Sequence, residues 1–178
     1  VNRRTFPVVI LGIDAGVAMT GWGILKVIGK NHYELVATGC IKTNKRTLFA
    51  DRLVQIANEI SDIIKEYSPD EVAIEELFFA RNTRTATSVG EAIGVILEVC
   101  ARAGLPIYQY TPLEIKQAVV GYGRADKKQV KDMVQTLLEV QFVAPDDTYD
   151  AVGCAICHAL IMNVPEVLTG NHPGRRLK

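Results

Sequence analysis

The chain has 178 residues, 48% hydrophobic and 22% charged, with twenty Lys and Arg balancing twenty Asp and Glu. This is enough for one well-packed domain and too little for two, and the zero net charge excludes a polyanion binder that relies on overall basicity. No apolar run approaches the roughly 18 residues that cross a bilayer, and VNRRTFP leads into no signal-like segment, so a cytoplasmic protein with no membrane partner is expected.

Val8 to Asp14, VVILGID, is an apolar, partly β-branched run closed by an acid and the turn Ala15-Gly16. Such a run reads as a strand buried on both faces, which belongs in a parallel sheet covered by helices. Ligands of open α/β sheets collect outside the carboxyl ends of strands, so Asp14 is a candidate for metal or phosphate chemistry. Thr20 to Ile28 and Tyr33 to Thr43 read as two further strands joined at Gly29-Lys30-Asn31-His32, an antiparallel meander. From Thr47 to Tyr67 the period lengthens, with Leu53, Ile56, Ile60, Ile63 and Tyr67 on one face of a helix that Ser68-Pro69-Asp70 ends.

Glu71 to Glu75, EVAIE, repeats the design of an apolar strand ending in an acid, although Glu76 follows at once and the pattern does not choose between Glu75 and Glu76. Leu77 to Arg84 mixes aromatic and cationic residues in an expected loop, and a helix is expected from Thr87 or Ser88 to Ala103. Pro106 to Tyr110 is a fifth strand, and Thr111-Pro112 caps and opens a helix that stops near Gly121. A loop to Asp126 leads into a helix from Lys127 to about Val140, and Pro145-Asp146-Asp147 begins a last helix with an apolar interior. The expected organisation is one α/β domain over residues 1–162 and a flexible tail over 163–178.

In the last helix Asp147 and Asp150 are three residues apart, hence on one face and roughly 4.5 Å apart along the axis. Asp146 reads as a capping acid. If the first and fourth strands are neighbours, Asp14, a strand-end glutamate, Asp147 and Asp150 surround one point. Clustered carboxylates resist ionisation unless hard cations occupy them, and all-oxygen ligands suit magnesium or manganese, a pair of which cleaves phosphodiesters. Charge is also sorted along the chain: between Arg102 and Lys131 six basic residues face two acids, whereas Val134 to Asp150 carries four acids and no base. The basic segment is suited to phosphate.

The blocks LGIDAG, TGWGI, GCIKT, AIEELFFARN, GEAIGVI, YTPLEIKQAVVGYGRADKKQV and DDTYDAVGCAICHAL occur in this order between about Val8 and Leu160. In sequence and order they resemble the RuvC-type Holliday-junction resolvases of bacteria. The resemblance implies an RNase H-like mixed sheet flanked by helices, and a homodimeric, magnesium-dependent endonuclease that nicks four-way DNA junctions symmetrically, leaving 5′-phosphates. It implies two ions per site, magnesium or manganese, held by Asp14, Glu75, Asp147 and Asp150, a junction-contacting aromatic at Phe78, and functional lysines at Lys116 and Lys127. Branch-migration helicases are the implied protein partners. Where the family motif reads Asp-Pro-Gly this chain has Ala15, which leaves the turn looser by about 0.4–1 kcal/mol.

Arg81, Asn82 and Arg84 beside Phe78, together with Arg124, Lys127 and Lys128, are the further candidates for DNA contact. The helix from Ser88, with Gly90, Ala92 and Gly94, is the candidate for a two-fold contact. Cys154-Ala-Ile-Cys157-His158 matches a haem-attachment pattern but lies inside an apolar helix, so buried thiols and a core-edge histidine are expected. Two other functions fit the sequence less well. An actin-like ATPase or kinase lobe also opens with an Asp-x-Gly turn but requires a second lobe, and a non-catalytic junction binder leaves the four acids without a purpose.

Overall fold

The computed structural model describes residues 6–76, 83–162 and 175–177. Strands β1 (Val8–Asp14), β2 (Met19–Gly29) and β3 (His32–Lys42) form the expected antiparallel meander. β4 (Glu71–Glu75) and β5 (Ile107–Tyr110) extend it in parallel on the other side of β1. The sheet order is β3-β2-β1-β4-β5-β6, the last being a two-residue strand, Arg175–Arg176, antiparallel to β5.

Helices cover both faces. Leu11 and Ile13 of β1 join Ile24, Val72 and Ile74 in a layer under α1 (Phe49–Tyr67) and α2 (Thr83–Arg102), where Ile56, Ile60, Ala92 and Ile96 are fully buried. Ile10, alternating with them, faces the opposite layer beneath α3 (Pro112–Val120), α4 (Lys127–Leu138) and α5 (Asp146–Met162). β1 is therefore free of polar side chains from Val8 to Ile13 because both of its faces are interior. α5 lies between the sheet and α3 and α4, and from Thr148 to Ala159 all but Asp150 are buried. Among the described residues no helix is long and apolar enough to cross a membrane.

Local chemistry accounts for the boundaries. Thr111 and Glu114 form a reciprocal capping box with Pro112 in the first turn of α3, and Asp126 with Gln129 does the same for α4. Ser68 ends α1 and Glu139 ends α4 in left-handed conformations, so α4 stops short of the expected Val140. α2 begins at Thr83 rather than at Thr87 or Ser88. Its first turn, TRTAT, carries three β-branched threonines, which weaken the helical signal without forbidding the helix. The end of the expected tail departs from a frayed segment: the Leu177 N–H donates to the Ile107 carbonyl, and its side chain packs on the α1–α2 layer. Residues 163–174 lie outside the described residues.

Candidate active site

Pairing brings the strand-end acids together. Ile13 pairs with Ile74 across parallel β1 and β4, so the next residues, Asp14 and Glu75, end their strands side by side. Side-chain alternation then resolves the choice of glutamate. Ala73 points into the α5 layer, and Glu75, two residues on, shares that side, whereas Glu76 does not. The turn after Asp14 is tied by Thr20, whose hydroxyl donates to the Gly16 carbonyl at 2.7 Å, so Ala15 does not leave it unsupported.

The helix-start acids reach this point because α5 sits directly on backbone. Gly12 pairs with Gly23, and Asp14 with Gly21, making a floor of glycines across β1 and β2. A Cβ at Gly21 would lie 1.9 Å from the Asp147 carbonyl oxygen, and one at Gly12 would lie 2.1 Å from that of Ala151. A Cβ at Gly23 would meet a side chain instead, Cγ2 of Val152, at 2.5 Å. Thr148 adds a tether, its hydroxyl donating to the Gly39 carbonyl at 3.2 Å.

The electrostatics follow from this packing. Burial, then the charges of Glu75, Asp150 and Asp147, push the Asp14 carboxyl up to about 8, with Lys127 opposing them. Burial and Asp150 push Glu75 up to about 7 against Lys116 and Lys127. Asp150 is also raised, chiefly by burial. The cation drawn to the acids is Lys127, whose Nζ lies 3.5 Å from Asp146 and 3.9 Å from Asp150. Among the described residues no three His, Cys, Asp or Glu side chains close to metal-ligating geometry. The donor set is nonetheless all carboxylate, with Asp14 and Glu75 both pushed toward the protonated form by burial and mutual repulsion. Such a set fits a hard divalent cation.

Of the remaining sequence candidates, Lys116 is half-buried on α3, and Arg124, Lys127 and Lys128 are exposed around the amino terminus of α4. Phe78, Arg81 and Asn82 lie outside the described residues, and Arg84 falls in the first turn of α2. The cysteines are free thiols, and His158 is a fully buried core residue rather than one at the core edge. On α2, Ala92 is buried in this chain's own core, leaving Thr87, Glu91, Gly94 and Glu98 as an exposed and largely polar face. Sequence reasoning missed the glycine floor. Its trace was the alternation Gly21-Trp-Gly23, which gains meaning only once β2 is paired with β1.

The sequence model of the family described as "Crossover junction endodeoxyribonuclease RuvC" matches residues 10–158. A protein of that name from Desulfitobacterium hafniense (strain DSM 10664 / DCB-2) is 51% identical over 156 residues, 87% of this chain and 94% of that protein. Another from Pelotomaculum thermopropionicum is 50% identical over 151 residues, covering 84% and 92%. The solved structure "T. thermophilus RuvC in complex with Holliday junction substrate" superposes with a TM-score of 0.85 at 31% identity, covering 96% of this chain and 99% of that one. The yeast mitochondrial Holliday junction resolvase Ydc2 shares the fold, with a TM-score of 0.61 at 12% identity.

Proposed function

The chain belongs to the RuvC family of crossover junction endodeoxyribonucleases, and we propose that this junction-cutting enzyme does its chemistry at Asp14, Glu75, Asp147 and Asp150. One observation carries the reading: acids from β1 and β4 are partly buried and lie close enough to Asp150 of α5 for its charge to raise both, at a cost in pKa that a structural role does not require. The four carboxylates would hold magnesium or manganese, two ions in all. Bound there, they would supply the Lewis acidity for activating water and stabilising the departing oxygen in a hydrolysis that leaves a 5′-phosphate.

The chain's own groups do the rest. Lys127, free to leave its exposed pairing with Asp146, offers a positive charge to the scissile phosphate, and Lys116 offers a second. Arg124 and Lys128 hold neighbouring phosphates, fixing register without reading sequence. Phe78, flanked by Arg81, Asn82 and Arg84, is the ring that stacks against an unpaired base where strands exchange. Symmetric nicking needs two such sites related by a two-fold axis, so the working enzyme is a homodimer, with the exposed α2 face as the candidate contact. Such an enzyme works on cytoplasmic DNA, alongside helicases that move the branch point.

Incubation of four-way junction and linear duplex, each with magnesium and with chelator, tests this. Paired nicks in the junction alone and only with magnesium are expected, lost in Asp14→Asn with junction binding kept. Junction binding without nicking in any divalent metal would make the protein a binder and the acids bystanders.

A further inference from the structure

The chemistry above makes no use of His158, yet this fully buried side chain has both ring nitrogens engaged. Nδ1 lies 2.5 Å from the Tyr110 hydroxyl of β5, and Nε2 lies 2.7 Å from a carboxylate oxygen of Glu71 at the start of β4. Tyr108 covers the ring, with centroids 4.4 Å apart. Nε2–H donates to the carboxylate, and Nδ1 shares the second hydrogen bond with the tyrosine hydroxyl.

This chain of bonds joins the elements that carry the site. Glu75 ends β4, Asp147 and Asp150 begin α5, and Tyr110 runs through Thr111 into α3, which bears Lys116. Tyr110 is held to the acid end a second time, since its carbonyl accepts the Glu76 N–H at 2.8 Å and its backbone pairs with Glu75. Most other buried α5 side chains are Ala, Val, Ile and Cys. Apolar packing and a glycine floor limit how closely a helix approaches a sheet but do little to stop it sliding along its axis, because such contacts are non-directional. Short, aligned hydrogen bonds are directional.

We infer that the Glu71–His158–Tyr110 chain is a positioning device, fixing the axial setting of α5 against β4 and β5 and so the spacing of Asp150 from Glu75. The inference rests on the four-acid reading above, and its test separates the two. Manganese binding without DNA is followed by electron paramagnetic resonance, with junction binding in chelator and melting temperature measured on the same proteins. Asp150→Asn is expected to lose manganese binding; indifference to it would overturn the four-acid reading and the positioning role together. Tyr110→Phe, which deletes only the hydroxyl, is expected to weaken manganese binding roughly tenfold, in the range that groups orienting metal ligands command, with junction binding unchanged. Glu71→Leu should match it, and Glu71→Gln, which keeps an acceptor for Nε2–H, should restore parental affinity. Ile60→Val, in the opposite core layer, controls for lost stability and should leave the metal affinity alone. A Tyr110→Phe protein with a lower melting temperature and parental manganese affinity, or an equal affinity loss in Ile60→Val, would reduce the chain to core packing.

Discussion

At the scale of single residues, burial and mutual repulsion push the Asp14 carboxyl up to about 8 and the Glu75 carboxyl up to about 7, so a divalent cation held by them as proposed would compete with protons. Metal uptake at neutral pH should therefore release protons, and the apparent affinity should climb about tenfold per pH unit for each proton displaced until the pH passes those values. Calorimetry in buffers of different ionisation enthalpy counts these protons; uptake without release at pH 7 would take Asp14 out of the ligand set. Stability runs the other way. A carboxyl whose folded pKa is raised contributes stability fully below its unfolded value near 4, and that contribution is lost as pH rises to about 8. In chelator the parent's melting temperature should fall through this window. Asp14→Asn should flatten the fall and melt several degrees higher at pH 8, given about 2–4 °C per kcal/mol for a chain of this size. Lys127 is 70% exposed, so Lys127→Ala should shift stability by less than about 0.5 kcal/mol. Nicking should nevertheless slow by about 100-fold if that ammonium faces the phosphate, and single-turnover rates would show it. The acids were legible in the sequence because each closes a strand or opens a helix. The residue pattern alone did not separate Glu75 from Glu76; the resemblance selected Glu75, and strand parity puts it on the side that faces α5.

At the scale of elements, the glycine floor predicts a graded series. Gly21→Ala and Gly12→Ala drive a methyl into the backbone carbonyls of Asp147 and Ala151, which cannot yield without moving α5. Gly23→Ala meets only Cγ2 of Val152, so Val152→Ala should relieve it. Gly21→Ala should cost about 1–3 kcal/mol as overpacking does, and should depress nicking far more than junction binding because it lifts the turn that carries Asp147. Chemical denaturation and nicking assays on the four variants check the order; a Gly21→Ala enzyme of parental activity would show that α5 has slack. The capped helices and the meander were readable because their signals are local: Thr111-Pro112, Asp126, and the alternation in β2 and β3. The floor was not, since it depends on which residue of β2 lies beside which of β1. The start of α2 was obscured by threonines of weak helix propensity.

At the scale of the molecule, resolution of a two-fold junction ties activity to assembly. Sedimentation should give a dimer on junction DNA, and charge reversal at Glu91 together with Glu98 on the exposed face of α2 should weaken it if that face is the contact. A dimer indifferent to both changes would move the contact elsewhere on the surface. The overall architecture was legible because seven blocks fall in one order. The pairing of Arg175–Arg176 with β5 was not, because two residues carry no periodicity.

The placement of α5 also orders events in time. Among the described residues, the helix around which one whole face of the sheet is packed follows every other helix in the chain, and Asp147 and Asp150 enter with it. Until α5 has been made, β1 to α4 leave that face of the sheet without its central helix. On the reading proposed above, Asp14 and Glu75 stand alone until then, and the acid site is completed in the same step that covers this face of the sheet.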